Sequence, residues 1–476
     1  MFVDRDDELA QLERWWASGD SLGLVWGRRR VGKSWLLSRF AEQRRAAVVH
    51  TGGGRPAVLE LQRLSAEVAR AGLAGTRDLE ARPYRSWDEA FDALVAAGRG
   101  EPTLVVLDEF PDLLRTSQEL ESVLRAVAER LGRPSPLRFL LCGSAVRTME
   151  ALAEERRPLF GRFGLRLAVH PFGPHEAGLM LPGLDAATRA LVWGLVGGVP
   201  LYLSWWDQQA SVEANLAELV CSPGGRLLNE GQLILATEGD TQGLAGQVMA
   251  AVAAGRTKYS EIKDAVRTDP TRTLERLVEL RLLERLVPVT EDPARSRRAV
   301  YRVVDNFLAF WLGVVDRYRS EIDRGLGPSI LRVLVGSLDD FLGPRFEEAF
   351  RQHLRRLAAI GELGDVVAIG AFWVRGGDEI DAVALAGRER AAVLVGEAKW
   401  ARAVDAAPLE AALARKSAEL PKLRDPLRLA LAARDDISGA APGTLTVTAS
   451  DIFGAPPAPS PRGRRPGPRA QNRRAR

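Results

Sequence analysis

The chain has 476 residues, 46% of them hydrophobic, enough for several buried cores and more than one domain. Its two cysteines, Cys142 and Cys221, exclude a disulfide framework and a zinc-ligand spacing. The formal charge of +4 is an end effect: seven arginines and no acids lie from Arg462 to Arg476, so the remainder sums to 4 − 7 = −3 and is not a broadly basic body.

The opening MFVDRDDE is charged from Asp4 and carries no signal-peptide core, so a cytoplasmic protein is expected. The first predicted unit, SLGLVWGRRRVGKSWLLSRF (21–40), reads as strand, turn, helix. Within it Gly27-Arg28-Arg29-Arg30-Val31-Gly32-Lys33-Ser34 fits G-x-x-x-x-G-K-[ST] in the context that motif requires. Glycines let the backbone form a nest of N–H groups around phosphate oxygens, at a helix N-terminus that favours anions. Lys33 then reaches the β- and γ-phosphates, Ser34 ligates Mg2+, and Trp35 follows in the same turn. Only six of the 66 basic residues are lysines: Lys33, Lys258, Lys263, Lys399, Lys416 and Lys422. An arginine fork does not replace a compact ammonium, so each lysine draws interest.

The next apolar run, Leu104 to Leu107, suits a parallel strand buried on both faces and ends in Asp108-Glu109. Asp108 is expected to hold Mg2+ through water, and Glu109 to polarise the attacking water. A further strand, LRFLLCGSA (137–145), ends at Ser144, a candidate sensor of the γ-phosphate; Cys142 within it reads as core filler. Arg162, just ahead of the strand LRLAV, is a candidate to neutralise phosphate charge in cis or across a homo-oligomer contact. The alternative is a surface arginine. Further along, the longest uncharged stretch, Leu191–Trp206, is short for a membrane span and broken by Gly197, Gly198 and Pro200.

The segments FVDRDDELAQL, VWGRRRVGKSWLL, VLDEF, CGSA, LFGRFG and GGVPLYL, in this order, resemble the archaeal-type ATPase family, a STAND-like branch of the AAA+ P-loop ATPases. The resemblance covers roughly residues 1–235. It implies a five-stranded parallel α/β core (1–170), a helical lid (171–240), and ATP with Mg2+ as cofactors. It also implies that Gly198-Val199-Pro200 lies near the nucleotide base, which adds Pro200 to the candidate site.

From Gly243 the pattern changes to two helices, GLAGQVMAAVAAG and TKYSEIKDAV, and a third, TRTLERLVELRLLERL, with Leu274, Leu277, Val278 and Leu282 apolar. Strand, basic loop and strand follow in VPVTEDPARSRRAVYRVVD. Three helices and a hairpin predict a winged helix (241–304), with Arg295, Arg297 and Arg298 at the tip placed for phosphates. The third helix alternates Glu275, Arg276, Glu279 and Arg281, an ordinary solvated face. Internal packing therefore stands beside DNA contact as its role.

Beyond Asp305 an aromatic helical stretch leads to an amphipathic helix (341–358), with Phe346, Ala349, Phe350 and Leu354 on one stripe. Strands at 366–374, 379–386 and 391–400, a helix at 408–420 and a strand at 427–433 give the order αβββαβ. In LVGEAKW (394–400), Glu397 and Lys399 leave the same face of an apolar strand, where ionised groups are costly unless paired or metal-bound. Asp381, on the neighbouring strand, can converge with Glu397 on a shared Mg2+, with Lys399 beside it and Glu347 or Glu348 as a further acid. This arrangement resembles the PD-(D/E)xK nuclease pattern and the nuclease-like domain of unknown function fused to archaeal-type ATPases (305–455). The resemblance implies DNA as the target. Glu379-Ile380 stands where the pattern has its proline, and Glu410 and Glu419 are both open for the acid on the following helix. An active metal site, a degenerate binding fold and a structural ion pair all remain open. The Pro/Arg-rich tail (456–476) is expected to be disordered and either solvated or held against nucleic acid.

The expected whole is an ATPase whose nucleotide state repositions the winged helix and a DNA-directed, metal-dependent nuclease-like domain. The alternative is a STAND-type regulatory switch, or a DNA-binding regulator, with an inactive nuclease fold.

Overall fold

A computed structural model describes residues 5–97, 100–237 and 243–454, so the predicted basic tail lies outside the described residues. The N-terminal core is a parallel sheet of β1 (Leu22–Trp26), β2 (Ala47–Thr51), β3 (Thr103–Asp108), β4 (Leu137–Gly143) and β5 (Phe163–Ala168) in the order β2-β3-β4-β1-β5. Its interior strands β1, β3 and β4 are buried along their whole length. Their alternate side chains serve two cores: Leu24, Phe139 and Leu107 pack with Phe91 on one face, and Val25, Leu140 and Val106 with Leu36 and Phe40 on the other. That two-sided burial is why these strands read as continuous apolar runs. All five strands run the same way, so the residues following β1, β3 and β4 meet at one edge.

The segment expected as a helical lid, called the lid below, comprises the helices Pro174–Met180, Ala186–Val196, Pro200–Trp205, Val212–Leu219 and Arg226–Thr237. The uncharged stretch forms two of them rather than one. It breaks at Gly197 (φ 69°) and Gly198, where a Cβ on Gly198 would lie 1.7 Å from the Phe172 carbonyl oxygen. Pro200 starts the next helix, where its missing N–H costs nothing. No helix of the described residues is long and apolar enough to cross a membrane.

Three helices follow, Leu244–Ala253, Tyr259–Val266 and Thr271–Glu279, then an antiparallel pair, β6 (Leu283–Leu286) with β7 (Val300–Val303). The third helix is shorter than the sequence pattern predicts. Arg281 adopts a left-handed φ of 57°, and the chain turns there into β6, burying Leu282 and Leu283.

The C-terminal part begins with the helix Asn306–Phe310, N-capped by Asp305. Trp311 then inserts into the lid, its indole donating to the Leu228 carbonyl at 2.9 Å. A long helix, Leu338–Ala359, leads to a mixed sheet of β8 (Val366–Trp373), β9 (Glu379–Ala386), β10 (Ala391–Ala398), β12 (Leu423–Ala433) and β14 (Leu445–Thr448), ordered β14-β12-β10-β9-β8. β11 (Ala403–Asp405) and β13 (Asp436–Ser438) form a small separate pair. The order αβββαβ is as expected; β14 is an additional strand, and β12 and β14 join parallel to make a mixed, five-stranded sheet. The helix Ala406–Ser417 covers one face and the long helix the other. Gly396 admits that long helix: a Cβ there would lie 2.9 Å from the Phe350 ring.

Candidate nucleotide site and a second charged cluster

The loop after β1 turns on two left-handed residues, Arg30 (φ 67°) and Gly32 (φ 93°), before the helix Lys33–Glu42 begins. Gly27 packs so tightly that a Cβ would meet the Val169 carbonyl oxygen at 2.1 Å. Lys33 is buried, and its ammonium donates to the carbonyls of Gly27 (2.8 Å) and Arg28 (2.9 Å), across the mouth of the loop. The Ser34 hydroxyl donates to Asp108 Oδ2 at 2.7 Å, while Asp108 Oδ1 accepts the Glu109 N–H at 2.9 Å. Glu109, itself left-handed at φ 47°, accepts from Ser144 through both its N–H (3.3 Å) and its hydroxyl (3.1 Å). Three strand ends thus bring the glycine-bounded loop, an ammonium, a hydroxyl–carboxylate pair and a second carboxylate together. Ser34 and Asp108 are hard oxygen donors, fit to share Mg2+ with phosphate and water.

Pro200 lies beside the loop, its Cγ 3.9 Å from where a Cβ of Gly32 would be. Val31 is fully buried, whereas Arg29 and Trp35 are exposed. The other two loop arginines reach into distant parts of the chain. Arg28 pairs with the buried Asp305 at 3.0 Å. Arg30 pairs with the buried Glu230 of the lid, which also accepts the Tyr202 hydroxyl at 2.7 Å. Neither carboxylate carries a motif; only packing brings them here.

Arg162 is not part of this edge. It precedes Phe163, which pairs with Leu22 at the start of β1, so it sits at the opposite end of the sheet. There it is bound to Glu129 and donates to the Phe160 carbonyl at 3.0 Å. A role on phosphate in cis is therefore corrected: the strand that follows places Arg162 a full strand length away.

In the C-terminal sheet, Asp381 and Glu397 are both buried and adjacent: Asp381 Oδ2 accepts the Ala398 N–H at 2.8 Å. Burial and then the charge of Glu397 push Asp381 up to about 6. Lys399 donates to Glu397 Oε1 at 2.8 Å. Burial opposes its ammonium, but the hydrogen bond and charge of Glu397 outweigh it and raise its pKa. Glu347 is raised to about 7, by burial and then by Asp381, and it faces Arg351 at 3.8 Å. Among the described residues no group of three or more His, Cys, Asp or Glu side chains is gathered to hold a metal, and the ion pair of Glu347 is with Arg351. Two carboxylates with water and phosphate still suit Mg2+ chemically.

Glu348 turns elsewhere, binding Arg302 of β7 (3.2 Å), Arg351 (3.0 Å) and Arg355 (2.8 Å). Burial alone would raise Glu348; the three guanidiniums hold it well below the usual range. Glu410 accepts from Ala441 N–H and the Thr444 hydroxyl, away from the cluster. The helix contributes Lys416 instead, which donates to Glu397 Oε2 at 3.0 Å. Its only signal in the sequence is that it is one of six lysines.

The hairpin tip lies on the C-terminal sheet. Val289 N–H donates to the Ala371 carbonyl (2.9 Å), and Arg298 donates to the Trp373 carbonyl (2.8 Å) while bound to Glu291. Arg298 is thus committed internally; Arg295 and Arg297 remain exposed.

Residues 2–205 match an ATPase domain predominantly from Archaea, and residues 311–415 match a family of archaeal and bacterial proteins of unknown function. An uncharacterized protein of Methanocaldococcus jannaschii is 24% identical over 411 residues, covering 84% of this chain and 88% of its own. An uncharacterized ATP-binding protein of the same organism is 46% identical over 46 residues, 10% of this chain and 78% of its own. The solved structure of a Walker-type ATPase of Pyrococcus abyssi overlays with a TM-score of 0.51 at 21% identity, covering 65% of this chain and 96% of that one, a likeness of fold. The chain thus carries an archaeal-type ATPase domain followed by a domain shared with a family of unknown function.

Proposed function

We propose that the chain binds and hydrolyses ATP, and that nucleotide state governs a DNA-directed, metal-dependent nuclease-like C-terminal domain. The observation that carries the first part is the meeting of Lys33, Ser34–Asp108 and Glu109–Ser144 at one sheet edge around a phosphate nest. The loop N–H groups and Lys33 bind the phosphates. Bound Mg2+ would supply charge neutralisation on the phosphoryl oxygens. Glu109 orients the attacking water, and Ser144 holds Glu109 until the γ-phosphate draws the serine away. Lys33→Ala is expected to remove hydrolysis and to weaken ATP binding by about 100-fold or more. Turnover unchanged in this variant would refute the site.

The second part is supported by the buried pair Asp381 and Glu397 with Lys399 beside them. The repulsion that lifts Asp381 is what a divalent cation would relieve. Plasmid incubated with Mg2+ or Mn2+, with and without ATP, should be cut by the native chain and spared by Asp381→Ala and Lys399→Ala. Absence of cutting under every condition favours the second reading, a STAND-type regulatory switch or DNA-binding regulator whose nuclease fold is inactive. The internal docking of the hairpin favours the switch, because it ties up Arg298 that a phosphate reader would need. The winged-helix role of the three helices and hairpin is likewise part of this proposal.

A further inference from the structure

We propose that Lys416 stands where a second metal ion would otherwise sit, so that the C-terminal cluster is built for a single divalent cation. This inference rests on the metal-dependent reading of that cluster. Glu397 carries one ammonium on each oxygen, Lys399 at 2.8 Å on Oε1 and Lys416 at 3.0 Å on Oε2. The two lysines differ in freedom. The Lys399 side chain is 46% exposed at the end of β10, whereas that of Lys416 is 16% exposed, in the last turn of a helix anchored on the sheet by the buried Leu413.

An ionised carboxylate offers about four lone-pair positions. Two of these positions on Glu397 are taken by ammoniums, the one on Oε2 by the less exposed Lys416. Two-metal phosphodiester sites need carboxylates shared between ions about 3.5–4 Å apart. Here Glu397, the carboxylate that a second ion would share, has its Oε2 taken by Lys416. Asp381 has also spent Oδ2 on the Ala398 N–H, and its main-chain carbonyl takes Arg351 at 2.7 Å. Lys416 is therefore a positioning residue. It fixes the Glu397 carboxylate and supplies a permanent positive charge, leaving the exposed Lys399 free to turn to a phosphate.

The test is a Mn2+ titration of the full, nucleotide-free chain, read by the electron paramagnetic resonance of free Mn2+. Asp381→Asn identifies the ions that belong to this cluster. The native chain is expected to hold one such ion, Lys416→Met and Lys416→Gln two, and Lys416→Arg, which keeps the cation, one. Two neutral variants are used so that a folding defect in one, seen by thermal denaturation, does not decide the result. One ion in both folded neutral variants would overturn the role of Lys416 and leave the metal reading intact. No ion removed by Asp381→Asn in the native chain would overturn the metal reading itself, and the inference with it.

Discussion

Glu109 is held at 3.1 Å by the Ser144 hydroxyl, so the carboxylate expected to orient water is restrained by the residue expected to sense the γ-phosphate. Ser144→Ala is predicted to lower ATP turnover by about 10-fold while leaving ATP affinity within a few-fold, a split seen by comparing kcat with nucleotide binding. The acidic pair of the C-terminal sheet makes a pH prediction. Asp381 and Glu347 are raised to about 6 and about 7, above their unfolded values, so the folded state binds their protons more tightly. Their contribution to stability is full below the unfolded values and is lost as pH rises through the folded ones. Asp381→Asn keeps an acceptor for the Ala398 N–H and removes the repelled charge. It should therefore stabilise the metal-free protein at pH 8 by about 1–3 kcal/mol and have little effect at pH 4, measured as thermal midpoints at the two values. At this scale the sequence was informative wherever chemistry depends on covalent spacing, as from Gly27 to Ser34, or on a strand end, as at Asp108. Lys416 and Asp305 were hidden because their partners are brought by packing alone, and Arg162 was misplaced because a strand has two ends.

At the scale of elements, periodicity identified the αβββαβ order because each strand is bounded by turn residues and each helix has an apolar stripe. It overran the third middle helix, since Leu282 and Leu283 continue that helix's apolar pattern while serving β6. It missed β14, a four-residue edge strand defined by its pairing with β12. Gly396 shows how element packing constrains a residue next to chemistry. Gly396→Val is expected to destabilise by about 1–3 kcal/mol through its collision with the Phe350 ring. The loss should appear as a lowered denaturant midpoint at unchanged slope. The hairpin, docked by Val289 and Arg298, leaves Arg295 and Arg297 as the exposed cations of its tip. If DNA is bound there, replacing both with alanine should weaken binding uniformly across sequences and flatten its salt dependence.

At the scale of the molecule, the lid, the three middle helices and the C-terminal part share one continuous core running from Phe172 through Phe310 to Phe453. The aromatic stretch after Asp305 supplies Phe307, Phe310 and Trp311 to this core. What no pattern revealed was that Arg28, inside the phosphate loop, binds the residue that caps the first helix of the C-terminal part. Asp305→Asn preserves a good helix cap and deletes only the charge, whereas Arg28→Ala strands a buried carboxylate and should cost about 3 kcal/mol more. That contact makes the two ends of the chain thermodynamically reciprocal. If phosphate and Asp305 compete for Arg28, whatever factor ATP adds to the opening of the C-terminal part must equal the factor by which opening tightens ATP. Protease susceptibility of the C-terminal part, followed against ATP concentration, and ATP affinity of Asp305→Asn are then two measurements of a single number.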